Sequence, residues 1–544
     1  MSTRKSIEKI FTNYFNWTKE NKDAVSSIPL LNIREELSIS FTENRDYTVT
    51  DDNISYLLSE TVEFSSGRKQ KGAYYTPTDI VTYTVYNLFF NYLTQESKVL
   101  PVDDIKKGIY DHSKILKLCT KMTFLDPTCG AGEFILSVLQ AKLFFLKKIG
   151  QDTPTNIMSA FNTVYGNDIE ENAILVSKLR ILIYLYQKDP IFINQDVFNT
   201  INSHFSNKDF IFDSLPLQKR FNFILGNPPY IEYRVLEKKP ETGYGNAYAD
   251  ILHNTNSHLY PGGGIAYIIP ISFSSTPRMK KIRHEEISSF SKLIALHFAD
   301  RPDSLFKSVH QKVEIVFGLD FQDEEHRVYT SKYNYWYKEE RPALFNNIRI
   351  IENSDYDDIA IPKYGNKLQK DIYQKVTNFY NKQLSDYLIK NNNANIDGLY
   401  LAKRASFYIK CFLEDPNSNE YDHYEVTQIS SKALLAILNS SLFWMYWVII
   451  SDGWHVTNKE LDKFTIPLLD KETDRKLSDL ADKLLERLEQ TTVHVGTVQT
   501  EYEYKHKLAL DIIDKIDTIL GNVYDLTDDE ITYVKNYERK YRGG

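Results

Sequence analysis

Apolar positions recur along the chain in more than one rhythm, and the changes of rhythm divide it. Residues 1–70 are mostly polar with scattered helical periodicity. From about 71 to 330, short β-rich apolar runs alternate with helical patterns, which predicts a doubly wound α/β sheet. The predicted strands are Thr123–Leu125, Thr163–Tyr165, Ile191–Ile193, Phe221–Leu225, Gly264–Ile269, Leu293–Phe298 and Lys312–Phe317. After the first of them, Phe134, Leu136, Val138, Leu139, Leu143 and Leu146 share one broad helical face. The alternation stops at 323–360, where the acidic clusters DEE and DYDD fall. In the tail, Leu477, Leu480, Leu484 and Leu488 form one stripe, and Leu508, Ile512, Ile516, Ile519 and Leu520 a second. Two such stripes predict an antiparallel helical hairpin. Four parts are expected: a helical extension over 1–66, an α/β domain over 67–330, a mixed α/β domain over 331–470 and a helical tail over 471–544.

The most apolar window is Ala433 to Ile450, and Asn439-Ser440-Ser441 splits it. Two short buried helices meeting at a turn are expected there, rather than a membrane span. The first twenty residues lack the apolar core of a signal peptide. Three cysteines, Cys119, Cys129 and Cys411, are too few to staple 544 residues, and none lies at metal-ligand spacing from another. A reducing cytoplasm, no membrane and no metal are the expectations.

Charge alters this picture only locally. The chain has 65 basic and 73 acidic residues, a net of −8, which excludes a globally basic nucleic-acid coat. Residues 361–410 nevertheless hold eight Lys and Arg404 against three Asp, a local +6 interleaved with Tyr373, Phe379, Tyr380, Tyr387, Tyr400, Phe407 and Tyr408. Arg278, Lys280, Lys281 and Arg283 form a second basic cluster. Lys363, Lys367 and Lys370, with Arg278, Lys280 and Lys281, are candidates to meet phosphates, against a default reading as solvated surface.

Four segments carry candidate chemistry, each at a predicted strand end. In Thr123-Phe-Leu-Asp126-Pro-Thr-Cys-Gly130-Ala-Gly132-Glu-Phe-Ile135, small residues let a ligand approach the backbone where a helix offers free N–H groups. The third glycine of a dinucleotide fingerprint is replaced by Ile135, which disfavours NAD. Asp168, in Tyr165-Gly-Asn-Asp168-Ile169, is placed to accept both hydroxyls of a ribose. Asp196, in Asn194-Gln-Asp196-Val197, suits an adenine amino group, with Val197 and Ile169 on the two faces of the ring. The fourth segment, Gly226-Asn227-Pro228-Pro229-Tyr230, combines two fixed dihedrals and two missing N–H donors with a side-chain amide. The acceptors left are the Asn227 amide oxygen and the Pro228 carbonyl, which suit a planar NH2 group. Accepting both N–H hydrogens frees the nitrogen lone pair for attack on an electrophile. As bland alternatives, the first segment is a packing turn, the acids are solvated loop residues and the fourth is a simple turn.

Asp126-Pro-x-x-Gly-x-Gly with Asn227-Pro-Pro-Tyr230 resembles the S-adenosylmethionine-dependent amino methyltransferases. Gly72-Ala-Tyr-Tyr-Thr76-Pro77 resembles the segment these enzymes close over the methionine part of the cofactor. This order, followed by a large C-terminal domain, resembles the gamma class of N6-adenine DNA methyltransferases of restriction–modification systems, the TaqI-like group. The resemblance implies Thr76 and Asp126, with the Gly130 and Gly132 turn, near the methionine moiety, Asp168 at the ribose, and Asp196 at the cofactor adenine with Ile169 and Val197. It implies that Asn227 and Pro228 hold the target amino group, with Pro229 fixing the turn, and that Tyr230 stacks on a flipped-out base. Phe306, in Leu305-Phe306-Lys-Ser-Val-His, would cover the other face of that base, although a Phe before an apolar strand is usually core. Asn246-Ala-Tyr-Ala-Asp250 resembles the helical motif that follows. Residues 331–470 resemble target-recognition domains through Asn439-Ser-Ser-Leu and Ile466-Pro-Leu. The implied partners are double-stranded DNA and a separate restriction endonuclease or defence-system subunit.

Rival readings keep the motif and change the substrate: N4-cytosine in DNA, RNA guanine, or protein glutamine amides. A binding-only DNA specificity protein with a dead catalytic fold is a different class, and cofactor binding separates it from an enzyme. A fused nuclease is disfavoured, since residues 1–70 are too few and show no carboxylate–lysine cluster.

Overall fold

The computed structural model describes residues 3–22, 24–42, 48–63, 76–213, 220–236, 238–306, 310–322, 325–378, 382–391, 398–496 and 502–543. Its centre is a nine-stranded mixed sheet: β1 Phe124–Asp126, β2 Val164–Asn167, β3 Phe205–Ser206, β4 Phe221–Gly226, β5 Leu259–Pro270, β6 Lys292–Phe298, β7 Val313–Leu319, β8 Arg327–Asn334 and β9 Ile350–Glu352. The order across the sheet is β3-β2-β1-β4-β5-β7-β6-β8-β9. Only β7 and β9 run against the rest. The carboxyl ends of β1, β2, β4, β5, β6 and β8 therefore share one rim. The order reverses between β1 and β4, the point at which such sheets open a crevice for ligands.

Six of the seven expected strands form, with their ends moved by a few residues. The third does not. Pro190 removes a ladder donor and Asp189 caps the amide of Ile191 at 3.0 Å, so Pro190–Phe192 is a 3-10 turn. The helix Gln195–His204 follows, and β3 lies beyond it. The sheet also continues past 330 through β8 and β9. Polar residues inside β8 hide its strand period: Thr330 and Asn334 are buried because their side chains reach the carbonyls of Tyr364 and His297 at 2.9 Å. Asp323 and Glu324 of the first acidic cluster lie outside the described residues.

The N-terminal helices Thr3–Asn21, Ile28–Glu36 and Ile54–Glu63 pack on the helix Glu171–Lys188 behind β2. Polar ties fix them there, from Tyr186 to the Ser26 carbonyl at 2.7 Å and from Arg180 to Ser55 at 2.9 Å.

Beyond the main sheet, Leu388–Lys390, Tyr421–Val426, Gly398–Ala402 and Cys411–Phe412 form, in that order, a four-stranded antiparallel sheet. The apolar window forms two helices, Ser431–Leu438 and Ser441–Ile450, bent by 57° at Asn439. Every residue of the second is buried, which explains why it has no polar face. Among the described residues no single helix is long and apolar enough to cross a membrane. The tail contains the expected hairpin, Lys471–Gln490 against Leu510–Val523. Leu477, Leu484 and Leu488 are buried in its seam, each contributing roughly 1.5–3 kcal/mol.

Asn439 is the polar joint of this part. Its amide donates to the Cys411 and Leu435 carbonyls at 3.0 Å, and its oxygen faces His506 Nε2 at 3.1 Å. Asn439→Ala should destabilise the protein by about 2–4 kcal/mol in urea titration, since buried groups lose their partners. Buried Glu286 accepts from Asn256 at 3.0 Å, and burial pushes its carboxyl up to about 8. Between the unfolded value near 4.5 and about 8, the folded state holds a proton that the unfolded state has lost. Its contribution to stability is therefore full at low pH and declines as pH rises, by about 1.4 kcal/mol per pH unit within that window. Glu286→Gln should flatten the decline between pH 5 and 8, measured by denaturant unfolding across pH.

Candidate active site

Three strand ends and one helix entry meet at the switch point. Asp126 ends β1 and is 2% exposed. Its carboxylate accepts from the Thr128 amide at 3.0 Å, and it lies against Gly226 at the end of β4. A Cβ at Gly226 would fall 2.7 Å from Asp126 Oδ1, so glycine here leaves room for that carboxylate. Burial first, then the neighbouring Asp168, holds the Asp126 carboxyl well above the usual carboxylate range.

Asp168 follows β2 and is buried. Its carboxylate accepts from the amides of Gly130 at 2.8 Å and Glu170 at 2.9 Å, which ties the turn after β1 to the end of β2. That turn needs left-handed backbone at Gly130 (φ +53°) and Gly132 (φ +82°), as glycine allows. A Cβ at Gly132 would also meet Ser177 Oγ at 2.9 Å. Arg180 braces the turn from behind, donating to the Ala131 carbonyl at 2.6 Å and pairing with Glu133 at 2.8 Å.

Asn227 and Thr76 come together although 151 residues separate them. Asn227 Nδ2 donates to Thr76 Oγ1 at 2.9 Å, which turns the amide oxygen the other way. That oxygen receives the Tyr230 hydroxyl at 2.5 Å, and the same hydroxyl lies 3.0 Å from the Ile268 carbonyl. One hydroxyl has one hydrogen, so Tyr230 serves these two acceptors in alternation. Pro228 is buried, and Pro229 and Tyr230 are half-buried. The rest of the Gly72–Tyr75 segment lies outside the described residues.

The loop after Tyr230 is pinned by residues without an obvious sequence signal. Ala247 N donates to the Ile231 carbonyl at 2.8 Å, and Tyr233 N to that of Gly245 at 3.1 Å. Buried Asp250 accepts from the hydroxyls of both Tyr233 and Thr242. Asn246 caps the helix Ala247–Ser257, so the motif over 246–250 acts here as a helix start and a loop anchor.

Other expected residues differ in exposure. Asp196 is exposed in the first turn of the helix Gln195–His204 rather than at a strand end. Ile169 is 62% exposed, whereas Val197 is buried in the apolar core because Asn194 caps that helix and turns its first apolar residue inward. Phe306 is 2% exposed within the core, so the ring presents no free face in this arrangement. Lys307, Ser308 and Val309 lie outside the described residues.

The basic candidates divide similarly. Lys363 is fully buried and donates to the Ser451 carbonyl at 2.6 Å, so it cannot meet a phosphate. Arg283 is also buried, donating to the carbonyls of Phe273, Thr276 and Asp358. Arg278 pairs with Glu232 at 3.8 Å, Lys280 with Asp358, and Lys281 reaches the Thr242 carbonyl at 3.2 Å. Lys367 pairs with Asp371 at 2.5 Å and Lys370 approaches Ser354 at 3.3 Å. Phe379 and Tyr380 lie outside the described residues.

Because Gly226 leaves room for the Asp126 carboxylate, Gly226→Ala should cost about 1–3 kcal/mol through displacement of that side chain. Denaturant unfolding measures this.

Comparison with known proteins places these elements in context. The type II methyltransferase M.VspI of a Vibrio species is 21% identical over 296 residues, covering 52% of this chain and 56% of that protein. A putative type II restriction enzyme and methyltransferase of Methanocaldococcus jannaschii is 23% identical over 204 residues, covering 32% of this chain and 17% of that protein. The chain thus spans about half of the first relative and less of the second. The type IIL restriction-modification enzyme MmeI, solved in complex with DNA, superposes with a TM-score of 0.54 over 90% of this chain and 81% of that one, at 15% identity. The chain therefore shares the fold of that enzyme, a mixed α/β sheet followed by a C-terminal α/β part and a helical tail. Residues 162–303, from β2 through Asn227–Tyr230 to the turn after β6, match the Eco57I restriction-modification methylase family.

Proposed function

We propose that this chain is a site-specific DNA methyltransferase that transfers a methyl group from S-adenosylmethionine to the N6 amino group of a flipped-out adenine. The observation that carries the reading is the Asn227 amide. Thr76 holds its nitrogen, so its oxygen is the accepting end, held by the Tyr230 hydroxyl until an amino group takes that place.

The residues fit the cofactor in charge and shape. Asp126 and Asp168 lie close enough for one to raise the proton affinity of the other, so a ligand carrying positive charge relieves them. The Gly130–Gly132 turn keeps the backbone bare of Cβ atoms beside them. In this reading Thr76 and Asp126 hold the methionine portion and Asp168 accepts from the ribose. Ile169 lies against the adenine and Asp196 reaches its edge, while Val197 contributes only by anchoring the helix that carries Asp196. When bound, S-adenosylmethionine supplies an electrophilic methyl group.

The chain supplies orientation. A duplex hides N6 in the stack, so the nucleotide must swing out. The Tyr230 hydroxyl moves fully to the Ile268 carbonyl, which opens the Asn227 oxygen to the incoming amino group. The Tyr230 ring then offers a stacking face worth roughly 1–3 kcal/mol. Asn227 Oδ1 and the Pro228 carbonyl accept the two amino hydrogens and stabilise positive charge as it develops on nitrogen. A second face from Phe306 requires that ring to leave the core it occupies here. Residues 67–330 with β8 and β9 form the catalytic part, 1–66 buttress it, and 331–470 read DNA with 471–544 as their support. The setting proposed is a restriction–modification or related defence system in the cytoplasm, with cleavage by a separate protein.

Asn227→Ala should keep S-adenosylmethionine binding in calorimetry and lose methyl transfer by roughly 10²–10³-fold in a labelled-methyl assay on plasmid DNA. Turnover at the wild-type rate rejects the acceptor role. Long-read sequencing of host DNA with and without the gene identifies the modified base, and N4-methylcytosine would replace the adenine assignment.

A further inference from the structure

A cavity of about 670 Å³ lies away from Asn227, between residues 402–410, the segment 502–507 and the C-terminal Tyr541–Arg542. Cations from separate parts of the chain line it: Arg301, Arg404, Lys410, Lys505, Lys507 and Arg542. Only two of them have a carboxylate at ion-pair distance among the described residues, Arg404 with Glu420 at 3.5 Å and Lys505 with Glu503. Arg301 and Lys507 are exposed and form no ion pair there. Arg542 is 4% exposed, and its Nη2 has no hydrogen-bond partner among the described residues. That nitrogen is closed off from solvent and Arg542 lies within electrostatic reach of buried Asp517, so Arg542 braces the wall while Arg301 and Lys507 are the open cations.

The walls are aromatic. Arg542 stacks over Tyr408 and Trp444, with its centre 4.7 and 4.3 Å from the rings. At the mouth, half-buried Trp454 gathers three cations over its ring: Lys312 at 4.9 Å, Arg301 at 5.1 Å and Arg404 at 5.9 Å. Lys312 also pairs with Asp300 at 3.3 Å, which leaves Arg301 as the unpaired cation over this ring. A ring beside such a cation suits a ligand with a flat π face and a phosphate, that is, a nucleotide.

Topology indicates which nucleotide. Arg301 follows β6 and Lys312 precedes β7, so both stand on the rim that carries Asn227 at the end of β4. Three strand spacings separate β4 from β6, or roughly 14 Å. Along one DNA strand that is about four base-pair rises. One bound strand can therefore reach both places.

We infer that this cavity, with Trp454 and its three cations at the mouth, binds a phosphate-bearing nucleotide of the DNA strand flanking the target base. The inference rests on the proposed DNA substrate and adds a contact surface outside the 361–370 lysines and the 278–281 cluster. The cations from both halves of the chain converge on Trp454, so the strand is gripped where the two halves join.

The test uses the full chain and the exposed cations, whose replacement leaves the core intact. Arg301→Gln/Arg404→Gln/Lys507→Gln should weaken binding to a 30-bp duplex at least tenfold at about 0.1 M salt in fluorescence anisotropy. It should also reduce the slope of log affinity against log salt by about two to three, near 0.9 per phosphate contact. S-adenosylmethionine binding by calorimetry should not change. Wild-type slope and affinity in the variant overturn the inference while the methyltransferase reading stands. ATP binding that is lost in the variant, with duplex binding unchanged, assigns the cavity to a free nucleotide and overturns the DNA contact. Absence of duplex binding by the wild-type protein, with S-adenosylmethionine still bound, overturns the DNA substrate and this inference together.

Discussion

The β1–β4 contact is the constraint on which the rest depends. A carboxylate at the end of one strand lies against a residue with no side chain at the end of the next. A side chain at Gly226 would displace the Asp126 carboxylate from the place it occupies at the end of β1. The same buried carboxylate sets the local electrostatics, because burial and Asp168 both favour its neutral form. The glycine turn and the Asp168 carboxylate extend this arrangement along the rim by backbone hydrogen bonds rather than by side-chain packing.

The C-terminal half is joined to the sheet by buried polar groups as much as by apolar area. Lys363 reaches the Ser451 carbonyl, and burial brings its ammonium down to about 7. Gly453 comes close enough to Tyr333 of β8 that a Cβ would lie 2.8 Å from its hydroxyl. The wholly buried helix Ser441–Ile450 packs between β8 and the tail helices. Such joints fix a unique seating, because a buried donor or acceptor tolerates little displacement before its desolvation is uncompensated. They also hold Trp454 of one half beside Arg301 and Lys312 of the other.

Net charge conceals how the cations are placed. The chain is acidic at −8, yet the local basic excess at 361–410 divides by environment. Lys363 is spent on an internal carbonyl and Lys367 on its own helix, whereas Arg404 and Lys410 line the cavity with Arg301, Lys507 and Arg542. Segment counts include buried cations and overlook cations that converge from distant segments.

By itself the sequence determined the doubly wound class, six of the seven strands, the bent apolar helix pair and the tail hairpin. Each rests on local information: a two- or 3.6-residue period, a breaking Asn-Ser-Ser, or a proline pair that leaves few conformations. It also singled out Asp126, Asp168 and Asn227, since acids and amides at strand ends are defined by their place in the period. Tertiary structure alone decided what depends on long-range packing. It turned Val197, Phe306 and Lys363 inward, replaced the third expected strand by a turn at Pro190, and hid β8 behind buried polar residues. It brought Thr76 to Asn227 across 151 residues and six cations to one cavity. Periodicity states which face of an element is apolar, but hydrogen bonding and burial between distant elements decide which side chains are left at the rim.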